Sequence, residues 1–596
     1  MKSDLFNNLN SKQLEAVKYN NGPSIILAGA GSGKTRVLVQ KVLHLILNSG
    51  VSAGSIVMIT FTNKAAKEMK SRIEKFTGQK IGKLGYVGTF HSFCSMLLRR
   101  DGVQEGVDHN FLIYNTDDQE DLLKPILKNL GTKKYTPSYF LNRISDAKNR
   151  LITPDKYINY YSYHGAAQVA DVYYQYQKQL TKNRALDFDD LIMKTVQLLT
   201  NNRPVLEKYQ EKYRYLLVDE FQDTNFAQYA LTRLLGQKQQ NVTVVGDFSQ
   251  SIYSWRGADI RNLEKFSGDF PKAKMINLEE NYRSTQTILD FAFQVISKNE
   301  LHPVLELFTN NLPGDEVIYY TAENEEEEAL YVANKIEELE ARAGSYATIA
   351  VLYRTNAQSR VIEEAFLHIG IPYTLIGGIR FYERREIKDV LSYLRLFVNP
   401  HDTVATERVK KLGKRRWQQF KALYDEIHQN ASTLTTVELM DKVFLQTGYL
   451  DTYNADIPED YTRLENIKEL KSVAINFLSL PEFLEQVALV ESEYFEGEKK
   501  NKEDSVRLMT LHACKGLEFE DVFIVGVEEG ILPHSRSSED IYQLEEERRL
   551  FYVGITRAKK RLYITNARRR FIFGRRYESA RSRFLESDQP DPTESW

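Results

Sequence analysis

Residues 25–38 read IILAGAGSGKTRVL: an apolar run, a glycine-rich loop, Lys34 and Thr35, then a helical pattern. This is the physical layout of a nucleotide phosphate loop. Its glycines let backbone N–H groups converge on one anion, and the following helix N-terminus adds positive potential. Gly29, Ala30, Gly31, Ser32 and Gly33 would line the phosphates, Lys34 would reach the β and γ groups, and Thr35 would ligate magnesium. The usual opening glycine of the eight-residue motif is Ala28 here. The bland alternative is a glycine-rich turn with a chance Lys-Thr, and the flanking strand and helix patterns disfavour it.

Brief apolar runs of buried-strand type recur at Ser24–Ala28, Ile56–Thr62, Tyr215–Asp219 and Val242–Gly246. A second set lies at Glu316–Tyr320, Thr348–Tyr353, Asp521–Val527 and Arg561–Thr565. Amphipathic helical patterns separate many of them, and such alternation predicts parallel sheets covered by helices. Two sets predict two α/β cores. Residues 105–186 and about 378–500 are charged, Tyr-rich and helical in pattern, and read as insertions.

A nucleotide site also needs a metal ligand and a base. YLLVDEFQDTN places Asp219 and Glu220 at the end of an apolar strand. Asp219 would hold magnesium and Glu220 would deprotonate the attacking water. Adjacent acids at strand ends are common on surfaces, and the preceding phosphate loop favours the functional reading. Phosphoryl transfer further needs cations at the γ-phosphate. Arg283 in LEENYRST and Arg557 in VGITRAKK are the candidates.

Composition adds boundaries. The chain has 596 residues, 27% of them charged, and a net charge of −2, so any polyanion partner must be held by local patches. Two distant cysteines, Cys94 and Cys514, supply neither a disulfide framework nor a metal pattern. The N-terminus lacks a signal-peptide core and no uncharged run reaches the ~20 residues of a membrane span. The expectation is a cytoplasmic, nucleoid-associated protein with no membrane partner.

In order, the chain carries LNSKQLEAV, AGAGSGKT, ITFTNKAAKEM, VGTFHSF, LDFDDL, LLVDEFQDTN, VVGDFSQSIYSWRGA, LEENYRST, YRTNAQSR, GGIRFYERREIKD, LMTLHACKGLEF and EEERRLFYVGITRA. This set resembles the UvrD/PcrA/Rep family of superfamily 1 DNA helicases from residue 4 to about 587. The resemblance implies two RecA-like motor domains. The first comprises 1–104 and 187–277, with a helical insertion at 105–186. The second comprises 278–377 and 501–587, with a shortened insertion at 378–500, and 588–596 form a tail. It implies ATP and Mg2+ as cofactors, with the nucleotide between the two cores and completed by arginines from the second. Gln13 resembles the adenine-reading glutamine, Arg36 a nucleotide-contacting arginine, Tyr282 the adenine-stacking aromatic and Glu518 a ribose-contacting acid. Gln250 resembles the glutamine that links the γ-phosphate to the DNA site. Arg283 and Arg557 resemble paired arginine fingers.

For DNA, sequence-tolerant grip needs aromatic stacking. Tyr253 and Trp255, beside Arg256, are the best candidates, followed by Phe61 and Phe188; core packing is the competing reading for each. Thr62, Asn63, Thr89, His91, Ser92, Thr510 and His512 are candidate phosphate contacts, with Lys64 in support. The family resemblance implies 3′→5′ movement on single strands, action at single/double-strand junctions, and work in repair or replication restart. A monomer that self-associates or takes a partner to unwind duplexes is expected.

Three departures stand out. The third motif reads Asp247-Phe248-Ser249-Gln250 where the family is more acidic, and Cys514 replaces a small alanine. The second insertion carries KKLGKRRWQQF where a Gly-rich stretch is usual. Its basic run Lys410–Arg416 reads either as a substitute DNA contact or as a solvated helix face anchored by Trp417. Alternatives to a helicase are a translocase that strips proteins from single strands and a non-catalytic nucleic-acid scaffold. Intact Lys34, Thr35, Asp219, Glu220, Gln250, Arg283 and Arg557 argue against the scaffold. The lack of a following nuclease segment argues against a helicase–nuclease subunit.

Overall fold

The computed structural model describes residues 6, 8–77, 84–132, 135–428, 433–477, 479–497, 503–572 and 575–585. The proposed tail 588–596 lies outside them. The chain divides into two compact units, Met1–Arg283 with Asn299–Asn310, and Ser284–Lys298 with Asn311–Trp596.

The first unit is built on a six-stranded parallel sheet. Its strands are β1 (Ser24–Ala28), β2 (Ile56–Thr60), β3 (Tyr86–Thr89), β4 (Tyr215–Val218), β5 (Val242–Gly246) and β6 (Lys274–Leu278), in the order β3-β2-β4-β5-β1-β6. Both faces are covered, so β1, β2 and β5 read as continuous apolar runs. Successive side chains enter different cores. Ile25 and Leu27 join Val57, Ile59, Leu216 and Val218 on one face. Ile26 and Ala28 join Met58, Leu217, Val245 and Ile276 on the other. β3 and β6, absent from the apolar-run reading, are the two edge strands, and β6 leaves Lys274 and Met275 exposed.

Helices α1 (Ser11–Lys18), α2 (Lys34–Leu47), α3 (Asn63–Thr77), α4 (Phe90–Asp101) and α5 (Phe188–Asn201) matter to the site. α1, α4 and α5 each begin with a capping box, on Asn10, Thr89 and Asp187. Between 105 and 186 the described elements are helices, a short 3-10 turn and two three-residue strands that pair, Leu112–Tyr114 with Ala185–Asp187.

The second unit holds another six-stranded parallel sheet. Its strands are β7 (Ile318–Ala322), β8 (Ile349–Tyr353), β9 (Tyr373–Leu375), β10 (Val506–Thr510), β11 (Phe519–Ile524) and β12 (Ala558–Ala567), in the order β7-β12-β11-β8-β10-β9. The apolar-run reading missed β9, three half-buried residues, and β10, whose Arg507 and Thr510 break the run. Residues 385–497 add helices around a separate core that includes Tyr393, Phe420 and Met440. Trp417 packs against that core, stacked 6.1 Å from Phe420, and Arg416 donates to the carbonyls of Leu412 and Gly448. These two side chains are structural anchors, while Lys411, Lys414 and Arg415 stay exposed. Cys514 is a buried thiol donating to the Leu511 carbonyl at 3.0 Å. No described helix is long and apolar enough to cross a membrane.

Candidate functional site

In a parallel sheet the loops at the carboxyl ends of neighbouring strands gather together. β4, β5, β1 and β6 are adjacent, so their ends bring Asp219 and Glu220, Asp247, the phosphate loop and the Glu280–Arg283 segment side by side. The other edge, β2 and β3, ends in Phe61–Thr62 and Thr89–His91. Strand order thus sets two groups of candidate residues on either side of the acid pair.

The loop Gly29–Gly33 turns on Gly31 (φ 65°) and Gly33 (φ 83°), both in the left-handed region that glycine tolerates. Ser32 Oγ donates to the Gly29 carbonyl at 2.8 Å and closes the turn. Lys34 Nζ donates to the carbonyls of Ala28 (2.9 Å) and Gly29 (3.2 Å) and lies 3.7 Å from Asp247 Oδ2. Thr35 and Arg36 are half-buried on the first turn of α2.

Gln13 is fully buried. Its amide donates to the Ser32 carbonyl at 2.9 Å and accepts the Asn10 N–H at 3.1 Å, so it brackets α1 onto the loop. Reading adenine with Gln13 requires exchanging these bonds. Asn10, which the motif reading passed over, also donates to Tyr282 Oη at 3.0 Å and to Glu280 at 2.7 Å. The Asn-x-x-Gln spacing was its signal, as a capping box.

Arg283 lies in the same unit as the phosphate loop, not with the second core where its motif placed it. The reason is local. Asn281 Nδ2 donates to the Ala30 carbonyl at 2.7 Å, and the Tyr282 N–H donates to the Gly31 carbonyl at 3.1 Å. A Cβ built on Gly31 would stand 2.9 Å from Arg283 Cβ, so that stem rests on the loop. Tyr282 keeps 46% of its surface exposed, leaving a ring face for stacking.

Asp219 is buried at the end of β4, and burial first, then neighbouring Glu220, pushes its carboxyl up to about 8, with Lys34 opposing. Its Oδ1 has no hydrogen-bond partner among the described residues. A buried carboxylate oxygen without a partner, beside a second acid and a phosphate loop, suits a hard cation. Glu220 adopts φ 50°, a left-handed conformation costly for a residue with a side chain and concentrated at functional sites. Gln250 donates to Asp247 Oδ2 at 2.6 Å. Phe248 is buried in the core, and Ser249 Oγ meets His302 Nε2 at 3.1 Å.

The DNA candidates fall into two groups. In one, Phe61 sits edge-on to Phe90 at 5.9 Å and His91 edge-on to Phe188 at 5.9 Å. Phe188 is 49% exposed, whereas Phe61 is half-buried against the core. Burial lowers the His91 pKa below the ordinary imidazole value, so at neutral pH it offers a hydrogen bond rather than a charge. Thr89 Oγ1 caps α4 by accepting the Ser92 N–H, and Thr62 Oγ1 accepts the Ala65 N–H; Asn63 and Lys64 are exposed. In the other group, Tyr253 and Trp255 stand edge to face at 6.4 Å, and the Arg256 guanidinium lies 4.5 Å from the Trp255 ring. Trp255 is 45% exposed, more than core packing allows.

Asp187 and Asp190 of LDFDDL do structural work. Lys148, fully buried, pairs with Asp187 at 2.6 Å and Asp190 at 2.8 Å, and Tyr176 Oη donates to Asp187. Burial lowers the Lys148 pKa, and the two carboxylates more than reverse this. This cluster fastens the start of α5, and with it Phe188. Lys148→Met, which strands two buried carboxylates, is expected to cost about 3–5 kcal/mol of stability, read by denaturant titration of the full chain. A loss below about 1 kcal/mol would mean that the cluster is not acting as a buried ion pair.

In the second unit Arg557 is 1% exposed. It donates to the carbonyls of Val553 (2.9 Å) and Leu517 (3.2 Å) and to Thr556 Oγ1 (3.1 Å). Glu518 is exposed and pairs with Lys559 at 2.8 Å. His512 is half-buried just beyond β10, where Thr510 Oγ1 accepts the Ala513 N–H.

Residues 9–271 match the UvrD/REP helicase N-terminal domain. Residues 276–455 and 411–569 match the UvrD-like helicase C-terminal domain. The chain is 43% identical over 643 aligned positions to the ATP-dependent DNA helicase PcrA of Staphylococcus epidermidis, covering 99% of this chain and 88% of that protein. It is 42% identical to the PcrA proteins of Bacillus subtilis (99% and 86% covered) and Staphylococcus aureus (98% and 86%). The first alignment is longer than the chain's 596 residues, so the relative carries residues this chain lacks within the matched span. With both family domains matched in order across most of its length, the chain belongs to the UvrD/REP helicase family.

Proposed function

We propose that this protein is an ATP-dependent DNA helicase that moves 3′→5′ along single-stranded DNA and opens duplexes at single/double-strand junctions, in repair or replication restart. The observation that carries this is the meeting of Lys34, Asp219, Glu220, Asp247 and Arg283 at the ends of adjacent strands. Lys34 and the loop N–H groups hold the β and γ phosphates. Glu220 takes a proton from the water that attacks the γ-phosphorus as the bond to the β-phosphate oxygen breaks. Arg283 and Arg557 balance charge on the transferring group. Thr35 and Asp219 would hold Mg2+, which when bound neutralises phosphate charge. Gln13, Arg36, Tyr282 and Glu518 bind the nucleoside part. Tyr253, Trp255 and Phe188 stack on bases, with Arg256, His91 and His512 on the backbone.

The working form is a soluble cytoplasmic monomer that self-associates or takes a repair partner to unwind. A second reading, a translocase with weak unwinding, draws support from the residues that this chain lacks relative to its PcrA relative. ATP hydrolysis with and without single-stranded DNA, beside unwinding of matched 3′- and 5′-tailed duplexes, separates them. Stimulation with unwinding only from the 3′ tail supports the helicase, and stimulation without unwinding supports the translocase. No stimulation overturns both.

Trp255→Ala removes one stacking platform. Single-strand affinity is expected to fall by about 1–3 kcal/mol, with nucleotide affinity in the absence of DNA little changed. Unchanged DNA-stimulated hydrolysis would refute the stacking role.

A further inference from the structure

Gln222 is fully buried in the turn that follows the acid pair. Its amide nitrogen donates to Glu220 Oε2 at 2.5 Å, and its amide oxygen accepts the backbone N–H of Asp247 at 3.1 Å. Ser251 Oγ donates to the Gln222 carbonyl at 3.0 Å. Asp247 accepts from Gln250 at 2.6 Å and faces Lys34 at 3.7 Å. One side chain therefore ties Glu220 to the 247–251 segment, which runs on to Tyr253 and Trp255. A carboxamide suits this place: it donates from one atom and accepts at the other without adding charge beside two acids.

We infer that Gln222 is a positioning residue that passes the placement of the 247–255 segment to Glu220, so that DNA on Trp255 sets the orientation of the general base. The inference rests on the proposed roles of Glu220 and Trp255. Two features favour it. Glu220 is held at φ 50°, a strained conformation of the kind that clusters at functional sites, and its carboxylate accepts the Gln222 amide. Gly246 leaves room for the amide: a Cβ there would lie 2.5 Å from Gln222 Oε1, and the Gly246 backbone is not in the left-handed region, so alanine is conformationally allowed.

The test uses the full chain and Gln222→Met, close in shape but unable to form the amide hydrogen bonds to Glu220, Asp223 and Asp247. Hydrolysis at saturating ATP with single-stranded DNA is expected to fall about tenfold or more, collapsing the stimulation factor. KM for ATP and single-strand affinity should stay within about twofold. Gln222→Met should be less than additive with Gln250→Ala, since both break one chain of contacts. Gly246→Ala, which crowds the amide and leaves it chemically intact, should reproduce the selective loss, and it decides the matter if Gln222→Met does not fold. A normal DNA-stimulated rate in a folded variant overturns the inference. So does an equal fall with and without DNA, which marks a merely structural role. Glu220→Gln run in parallel separates the failures. If it keeps hydrolysis, the base assignment is wrong; if it loses hydrolysis while Gln222→Met does not, only the coupling is wrong.

Discussion

Lys34→Ala is expected to lower DNA-stimulated ATP hydrolysis by about 10²–10³-fold or more, while single-strand binding without nucleotide is retained. Lys34 stands at the mouth of the loop, where it reaches the Ala28 and Gly29 carbonyls and Asp247. Positive charge placed in advance at the transferring phosphate costs no reorganisation during reaction, which is why losing one such donor is so damaging. Truncation removes the charge but leaves the Gly31 and Gly33 turns and the Ser32 closure that shape the loop. The measurement is steady-state hydrolysis with saturating single-stranded DNA, alongside fluorescence anisotropy of a labelled oligonucleotide. A variant that hydrolyses within about tenfold of the parent would remove Lys34 from the phosphate site. Loss of DNA binding together with hydrolysis would point instead to a damaged fold.

Glu220→Gln is expected to lower hydrolysis by about 10²–10⁴-fold, with ATP binding intact. The change keeps shape and most hydrogen bonding and removes only the ability to take a proton. Asp219 is the poorer candidate for the base, because it is buried at the strand end with one oxygen unpartnered among the described residues, an arrangement better suited to a cation. Rapid mixing with ATP, followed by chemical quench, reads the chemical step directly. A Glu220→Gln burst at the parent's rate would show that another group activates water.

The two predictions differ in how far the sequence supported them. IILAGAGSGKTRVL carries the strand, the glycine turns and the helix start in one continuous stretch, so the phosphate loop was readable from local chemistry alone. The same holds for the α/β class, since strands buried on both faces appear as apolar runs. Edge strand β6 escaped because a half-exposed strand loses that signature, and β3, although largely buried, because its four residues include Gly88 and Thr89 and make no apolar run. Gln222 escaped because an amide announces nothing until its partners are known, and those of Gln222 include a residue 25 positions away; Asn10 was passed over although its spacing to Gln13 marks a capping box. The basic run before Trp417 left two readings open; Arg416 and Trp417 proved to be anchors because their carbonyl and aromatic partners come from packing that spacing does not reveal.

The sequence by itself determined which residues are candidates for the chemistry, because a glycine-rich loop with Lys-Thr, an acid pair after an apolar run and an aromatic pair beside an arginine each depend on a few contiguous residues. Only the tertiary structure decided who stands beside whom. The strand order β3-β2-β4-β5-β1-β6 brings acids nearly two hundred residues from the loop (Lys34 to Asp219) into one strand-end cluster, and the Asn281 and Tyr282 bonds hold Arg283 on the loop instead of with the second core. Adjacency in a parallel sheet comes from burial of both faces and from crossover connections of many residues, and those long-range terms leave no mark on local spacing.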